Sequence, residues 1–260
     1  MTHAEPSPEA LSWAADAAGR SFWVASCVLL PGTSFHANHA LALVDDSGST
    51  CELVLRRWAG AGWELLDAEF NAPREAAILE LLEPSPVPAP RLVAADPEGA
   101  HCGVPALLMT RLPGHPPDPS LPLAVLLEGL AGAMSAIHAV EGAEAVVPGY
   151  RRYHQPPALE LPFWAPDRGL WTAAREIAAE PPAAVTDCFT HRDFHPGNTL
   201  WEGERLTGVV DWSYGSWGPA AIDAAHLRWN LALDYGPEGA DALLPLIESC
   251  EHHPYWDVVD

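Results

Sequence analysis

No stretch of this chain is apolar for the roughly 20 consecutive residues that a membrane-spanning helix needs. Its first residues, MTHAEPSPEA, lack both the basic and the apolar region of a secretory leader. Cysteine is sparse: Cys27, Cys51, Cys102, Cys188 and Cys250 are scattered, odd in number and never spaced CxxC. That argues against a disulfide scaffold or a cysteine-ligated zinc site and fits a reduced, cytoplasmic protein. Positive charge is scarce too, with 13 Lys and Arg against 35 Asp and Glu, a formal net charge of −22. A nucleic acid is therefore a poor partner, because phosphate backbones are gripped by Lys and Arg. The same charge would steer a cationic small molecule towards the protein, although an acidic chain can also serve solubility alone.

What the chain does contain is a globular composition, 48% hydrophobic and 18% charged over 260 residues, long enough for two lobes around one cleft. Its most informative stretch is residues 191–212, HRDFHPGNTLWEGERLTGVVDW. Here Asp193, Asn198 and Asp211 follow the order D-x4-N-x12-D. Phosphoryl transfer needs such a set: one carboxylate to orient an attacking hydroxyl and take its proton, and an amide oxygen and second carboxylate to hold Mg2+ on the nucleotide phosphates. Pro196-Gly197 predicts a tight turn that brings the Asn198 amide back beside Asp193. Residues 201–205 read as a hairpin tip, and the apolar run 206–210 as a short strand delivering Asp211, so that the three side chains would converge.

These residues resemble the catalytic region of the aminoglycoside phosphotransferase-like family of small-molecule kinases, relatives of choline kinase and of protein kinases. The loop pattern H-x-D-[LFY]-x-x-x-N is met by His191, Asp193, Phe194 and Asn198, and the strand ending I/V-D-W/F by Val210-Asp211-Trp212. A following G-x-P-x-x-D run has a close counterpart in Gly218-Pro219-Ala220-Ala221-Ile222-Asp223. Together they are far more specific than an isolated H-R-D. The resemblance implies an α+β, bilobal protein-kinase-like fold: an N-terminal lobe of antiparallel sheet plus helix over residues 1–110, and a mainly helical C-terminal lobe over 111–260. It also implies Asp193 as base, Asn198 and Asp211 as Mg2+ ligands, His191 as a loop-organising hydrogen-bonder, and Asp223 as a brace for the loop.

The rest of the chain fits that order. Residues 7–18 read as a capped helix, 22–30 and 37–44 as a hairpin, 51–58 as a third strand, 73–82 as a helix, and 91–95 and 104–109 as two more strands. The first hairpin loop, LPGTSFHANH, lies where a phosphate-covering loop would, but has one glycine, Gly32. Strand alternation puts Arg56 and Arg57 on opposite faces without choosing between them. Alignment of Leu53-Val54-Leu55-Arg56 with the kinase V-A-I-K pattern favours Arg56 as the phosphate-holding cation, with Glu75 on the next helix orienting it. Met109-Thr110-Arg111-Leu112-Pro113-Gly114 resembles the family's M-E-x-L-x-G hinge, which implies adenine contact at Met109.

Further on, Leu123, Leu127, Leu130, Met134 and Ile137 mark one face of a long helix closed by His138 and Glu141. Residues 150–166 read as an irregular segment bordering the substrate site, with helices over 171–179 and 220–233. The resulting expectation is a small-molecule kinase that moves the γ-phosphoryl of ATP or GTP, with Mg2+, to a hydroxyl of an acceptor. An aminoglycoside or other cationic amino alcohol suits the acidic charge, while sugar, homoserine-like and macrolide acceptors occur among similar proteins. Two alternatives stay open: a nucleotide-binding pseudokinase without catalysis, and a metal-dependent hydrolase using His191, Asp193 and His195. The C-terminal residues 254–260 look like the start of a further element, so the acceptor-shaping end reads as short or incomplete.

Overall fold

The computed structural model describes residues 5–19, 21–32, 36–60, 62, 70–151, 163–164, 167–181, 186–247 and 252–259. They divide into two compact units, Met1–Pro113 with Gly208–Ser213, and Gly114–Thr207 with Tyr214–Asp260.

The first unit begins with helix α1 (Pro8–Ala18). Ser7 caps it by accepting a hydrogen bond from the Ala10 amide at 3.2 Å, and Pro8 occupies the first turn, where no amide donor is missed. Strands β1 (Phe22–Leu29), β2 (Ala37–Asp45), β3 (Thr50–Arg57), β4 (Leu92–Asp96) and β5 (Ala106–Thr110) form an antiparallel sheet in the order β1-β2-β3-β5-β4. Helix α2 (Ala72–Leu82) crosses between β3 and β4 in sequence and is capped by Asn71, whose side chain accepts from the Arg74 amide.

Side chains alternate across the sheet. Leu41, Leu43, Leu53, Leu55, Ala106 and Leu108 share one face and bury it against Ala10, Ala14 and Ala15 of α1. Since Arg56 pairs with Leu107 and Val54 with Met109, those four residues take the other face. One residue of register would exchange the two faces, so the apolar contact with α1 is what points Arg56 away from it.

The second unit is mainly helical: α3 (Leu123–His138), α4 (Arg168–Ala179), α5 (Ala221–Asp241) and α6 (Pro254–Val259). Helix α3 buries Leu127, Leu130, Met134 and Ile137 of the predicted stripe and adds Leu126, while Leu123, in its first turn, is only half-buried. Helix α5 outruns its predicted end at residue 233 and kinks at Gly236, where φ 75° and ψ 172° leave the helical region just before Pro237. Two small ladders complete the fold, β7 (Thr199–Glu202) with β8 (Arg205–Val209), and β6 (Asp187–Thr190) with β9 (Ser216–Pro219). The last pair has no counterpart among the predicted elements, because four-residue strands are too short to show a period. Of the early phosphate loop, residues 33–35 lie outside the described residues, as does most of the irregular segment 150–166. Among the described residues no helix is long and apolar enough to cross a membrane.

Trp201 ties β7 to the long helix α3. It is 1% exposed, donates its indole N–H to Thr199 Oγ1 at 2.8 Å, and lies where a Cβ at Gly129 would come within 2.4 Å of its ring. Gly129→Ala should therefore destabilise the protein, since overpacking costs about 1–3 kcal/mol against a propensity gain of about 1 kcal/mol. Gly132→Ala, one turn on with nothing within 4 Å of its added Cβ, should stabilise it by up to about 1 kcal/mol. Urea unfolding of the two variants checks the opposite signs.

Candidate active site

In the first unit a buried arginine joins residues from four separate segments. Arg56 is 4% exposed. Its Nε pairs with Glu75 Oε2 on α2 at 2.9 Å, and its Nη2 bonds Asp211 Oδ1 and, at 3.2 Å, Ser213 Oγ. The same Nη2 meets His36 Nδ1 at 3.1 Å, and the guanidinium lies 5.6 Å from the Trp58 ring centre. The chain has no lysine; every one of its 13 basic residues is arginine. A planar fork can serve two carboxylates at once, where a lysine ammonium supplies a single point of charge.

Burial governs the protonation of this group. It pushes the Glu75 carboxyl up to about 7, against the pull of Arg56 and with a further push from Asp211. It also drives His36 down to about 3, helped by the positive Arg56, so His36 is neutral and its Nδ1 accepts from the guanidinium. For Arg56 itself, burial works against the charge, but Asp211 and Glu75 outweigh it and raise the pKa further.

Asp211 follows β8 with φ 66°, one of two described non-glycine residues in the left-handed region; the other is Arg192, φ 69°. Such backbone costs about 1–3 kcal/mol and persists only where surrounding bonds hold it. At Asp211 these are the Arg56 contact and a 2.9 Å bond from Ser213 Oγ to Oδ1. At Arg192 the amide donates to Asp223 Oδ1 at 2.7 Å, Nη2 donates to the Arg151 carbonyl at 2.8 Å, and the guanidinium sits 5.0 Å from the Tyr150 ring centre.

The second unit holds the loop after β6. Asp223, fully buried near the start of α5, accepts from the His191 amide at 2.9 Å and the Arg192 amide at 2.7 Å, and pairs with His138 Nε2 at 3.0 Å. The loop is thus hung from a helix carboxylate, with His138 at the end of α3 as a second support. Pro196–Asn198 forms a single 3-10 turn. It returns Asn198 to Asp193, and Nδ2 donates both to the Asp193 carbonyl at 2.9 Å and to Oδ2 at 3.0 Å. With its nitrogen committed, the amide presents an oxygen at its other end, a hard donor of the kind Mg2+ takes.

The other oxygen of Asp193, Oδ1, faces imidazoles: His226 Nε2 at 3.1 Å and His195 Nε2 at 3.8 Å. His195 Nδ1 accepts from the Gly197 amide at 3.1 Å, which leaves its proton on Nε2. Burial pushes the Asp193 carboxyl up, but the His226 hydrogen bond and the neighbouring His191, His195 and His226 outweigh it, and the group lies well below the usual carboxylate range.

The sequence-predicted residues therefore fall into two groups. Arg56, Glu75 and Asp211 meet in the first unit, Asp193 and Asn198 in the second. Met109 lies in β5, paired with Val54 on one side and Leu92 on the other, on the same sheet face as Arg56. Its backbone is enclosed by the ladder, so it is the side chain, 6% exposed, that faces outward from the sheet. Three partners were not foreseen. His36 falls in the predicted first hairpin loop, Ser213 lies just past the Asp211 motif, and His226 lies within an ordinary helical pattern. Only the polarity of His226 and His36 beside apolar neighbours hinted at them. The hydrolase reading of His191, Asp193 and His195 finds no common cation position: among the described residues no three His, Cys, Asp or Glu side chains could share a metal ion.

The family model described as "Phosphotransferase enzyme family" matches residues 34–253 of this chain. The solved structure of an aminoglycoside-3′-phosphotransferase of type VIII aligns with a TM-score of 0.58 at 22% identity, over 90% of this chain and 93% of that one. A thermostable mutant of aminoglycoside phosphotransferase APH(4)-Ia, solved with ADP and hygromycin B, aligns at 0.59 and 16% identity over 91% and 83%. A macrolide 2′-phosphotransferase from Brachybacterium faecium aligns at 0.56 and 20% identity over 97% and 86%. At such identities the likeness shows the fold, which is α+β and protein-kinase-like. No protein of curated function matches the chain.

The bonds at Asp223 predict a measurable loss. Asparagine can accept from only one of the two backbone amides and would turn its NH2 towards the other, so Asp223→Asn should cost about 2–4 kcal/mol at pH 7. Burial raises the Asp223 pKa, but His138 and the His191 amide more than offset it and lower the pKa from 3.8. A lowered folded-state pKa gives stability that is complete above pH 3.8 and disappears as pH falls through the lowered value. The wild type should therefore lose stability more steeply than Asp223→Asn below that pH, in denaturant titrations from pH 7 to 2.5 or so.

Proposed function

The chain belongs to the phosphotransferase enzyme family, and we propose that it transfers the γ-phosphoryl group of ATP or GTP to a hydroxyl of a small molecule. The observation that carries this reading is the arrangement of Asn198. Its nitrogen locks the Asp193 carboxylate, which turns its amide oxygen to the opposite side, where a hard cation would be held.

In this reading the acceptor oxygen forms a bond to the γ-phosphorus as the bond to the β,γ-bridging oxygen breaks. The nucleoside diphosphate leaves, and the hydroxyl proton passes to Asp193. A carboxylate as acidic as Asp193 is a weak base towards an intact alcohol. It would orient the hydroxyl first and accept the proton late, when a loose transition state has already made the oxygen acidic. Asn198 and Asp211, both oxygen donors, would hold Mg2+. When bound, that ion would neutralise charge on the β- and γ-phosphate oxygens. Arg56, oriented by Glu75, would hold the α- and β-phosphates, and the Met109 side chain would border the base. Most of the rate would come from positioning and charge neutralisation.

Thermal unfolding with ATP or GTP, with and without Mg2+, tests the reading most directly. Saturation at about 100 times the dissociation constant adds about 2.7 kcal/mol, roughly 5–10 °C in midpoint for a chain of this length. A rise of that order that requires Mg2+ is expected; no rise with either nucleotide would overturn the kinase reading. Asp193→Asn should lower kcat by about 10²–10⁴-fold and keep the nucleotide-dependent rise. Asp211→Ala should remove the Mg2+-dependent part of that rise, as the same melts would report.

A further inference from the structure

Helix α5 leaves Asp193 with an uncovered aromatic face. His226, Trp229, Asn230 and Leu233 stand at positions i, i+3, i+4 and i+7, one stripe along the helix. The first turns of α5 are buried, with Ala221, Ile222 and Ala225 packed against Tyr255 and Trp256 of α6. The stripe is not: Trp229 is 59% exposed and Leu233 66%. A side chain as large as tryptophan normally gains by burial, so an exposed Trp and Leu in line with the half-buried Asp193 carboxylate mark a surface made to be covered.

The rings run on from the reacting carboxylate. His195 and His226 both point Nε2 at Asp193 Oδ1, their centroids are 6.2 Å apart, and the Trp229 ring is 6.2 Å beyond His226. The four stripe residues carry no carboxylate. Asp223, one turn before His226, is buried and spent on the His191 and Arg192 amides. Asp234 stands about 80° around the helix from His226 at 3.6 residues per turn. An acceptor with several ammonium groups would need carboxylates close to Asp193, but among the described residues this face offers imidazole N–H groups and apolar rings.

We propose that the His226–Trp229–Leu233 face of α5 is the acceptor-binding surface, and that it selects an uncharged alcohol with an aromatic or alicyclic ring next to the reacting hydroxyl. The ring lies on Trp229 and Leu233, His226 holds one oxygen of Asp193, and the hydroxyl reaches the remaining lone pairs of that carboxylate. The proposal rests on the kinase reading above and adds the class of acceptor. The strongly negative net charge acts at long range on any cation, but it is screened within about 10 Å in ordinary salt. The contact surface therefore decides selectivity, and here it is apolar.

The test uses the full chain with MgATP and two sets of acceptors. One is 2-phenylethanol, cyclohexylmethanol and chloramphenicol; the other is kanamycin and hygromycin B. Phosphorylated product is read by mass spectrometry. Transfer to a ring-bearing uncharged alcohol is expected, with little or none to the aminoglycosides. Trp229→Ala should raise the acceptor KM roughly tenfold, a loss carried by KM rather than kcat, and Trp229→Phe, which keeps a ring, should restore most of it. Preferential transfer to an aminoglycoside would overturn the proposal, and so would an acceptor KM that ignores Trp229→Ala. Stabilisation by MgATP without transfer to any ring-bearing alcohol overturns the acceptor assignment and leaves the kinase reading standing. Failure of MgATP to stabilise the chain removes both. Concentration-dependent self-association abolished by Trp229→Ala would assign the face to a second copy of the chain, which also overturns the proposal.

Discussion

The structure depends most on buried carboxylates whose oxygens are all spoken for. Asp223 is the clearest case: fully buried, it survives as an anion because two backbone amides and the His138 imidazole surround it. Those bonds fix His191 and hold Arg192 in a left-handed conformation, and the chain direction they set determines where Asp193 begins. The proposed reacting group is therefore positioned by a residue that would never touch a substrate.

Arg56 solves the converse problem in the first unit, a buried cation supplied with two carboxylates, a hydroxyl and a neutral imidazole. Its contact with Asp211 holds the second left-handed residue, so strained backbone and buried charge coincide in both units. Buried charge is thus secured by the same means in both units.

Charge on the chain and charge at the site point in different directions. The chain carries 35 acidic against 13 basic residues, while the stripe leading from Asp193 is built of imidazole and indole rings. Composition alone suggests a cationic acceptor, and the local surface argues for an apolar one. The local surface has the stronger claim, because desolvated contact discriminates between ligands more sharply than a screened field does.

Much of this was legible beforehand. Strong local signals, such as the Ser7 cap, the leucine stripe of α3, the turn at Pro196-Gly197 and the apolar run before Asp211, located the elements and the order Asp193, Asn198, Asp211. The four-residue strands β6 and β9 were not legible, being too short for a pattern, and neither was the length of α5 past residue 233. By itself the sequence determined which residue types were available and which lay close along the chain, and hence the elements, the family pattern and the pairing of Asn198 with Asp193. Strand alternation left Arg56 and Arg57 equal and the family pattern favoured Arg56 with Glu75; only the tertiary structure decided that Asp211, His36 and Ser213 join them, and that His226 reaches Asp193 with Trp229 beyond it. Those partners come from segments far apart in the chain, and packing against α1 and α6, not local spacing, brings their faces into place.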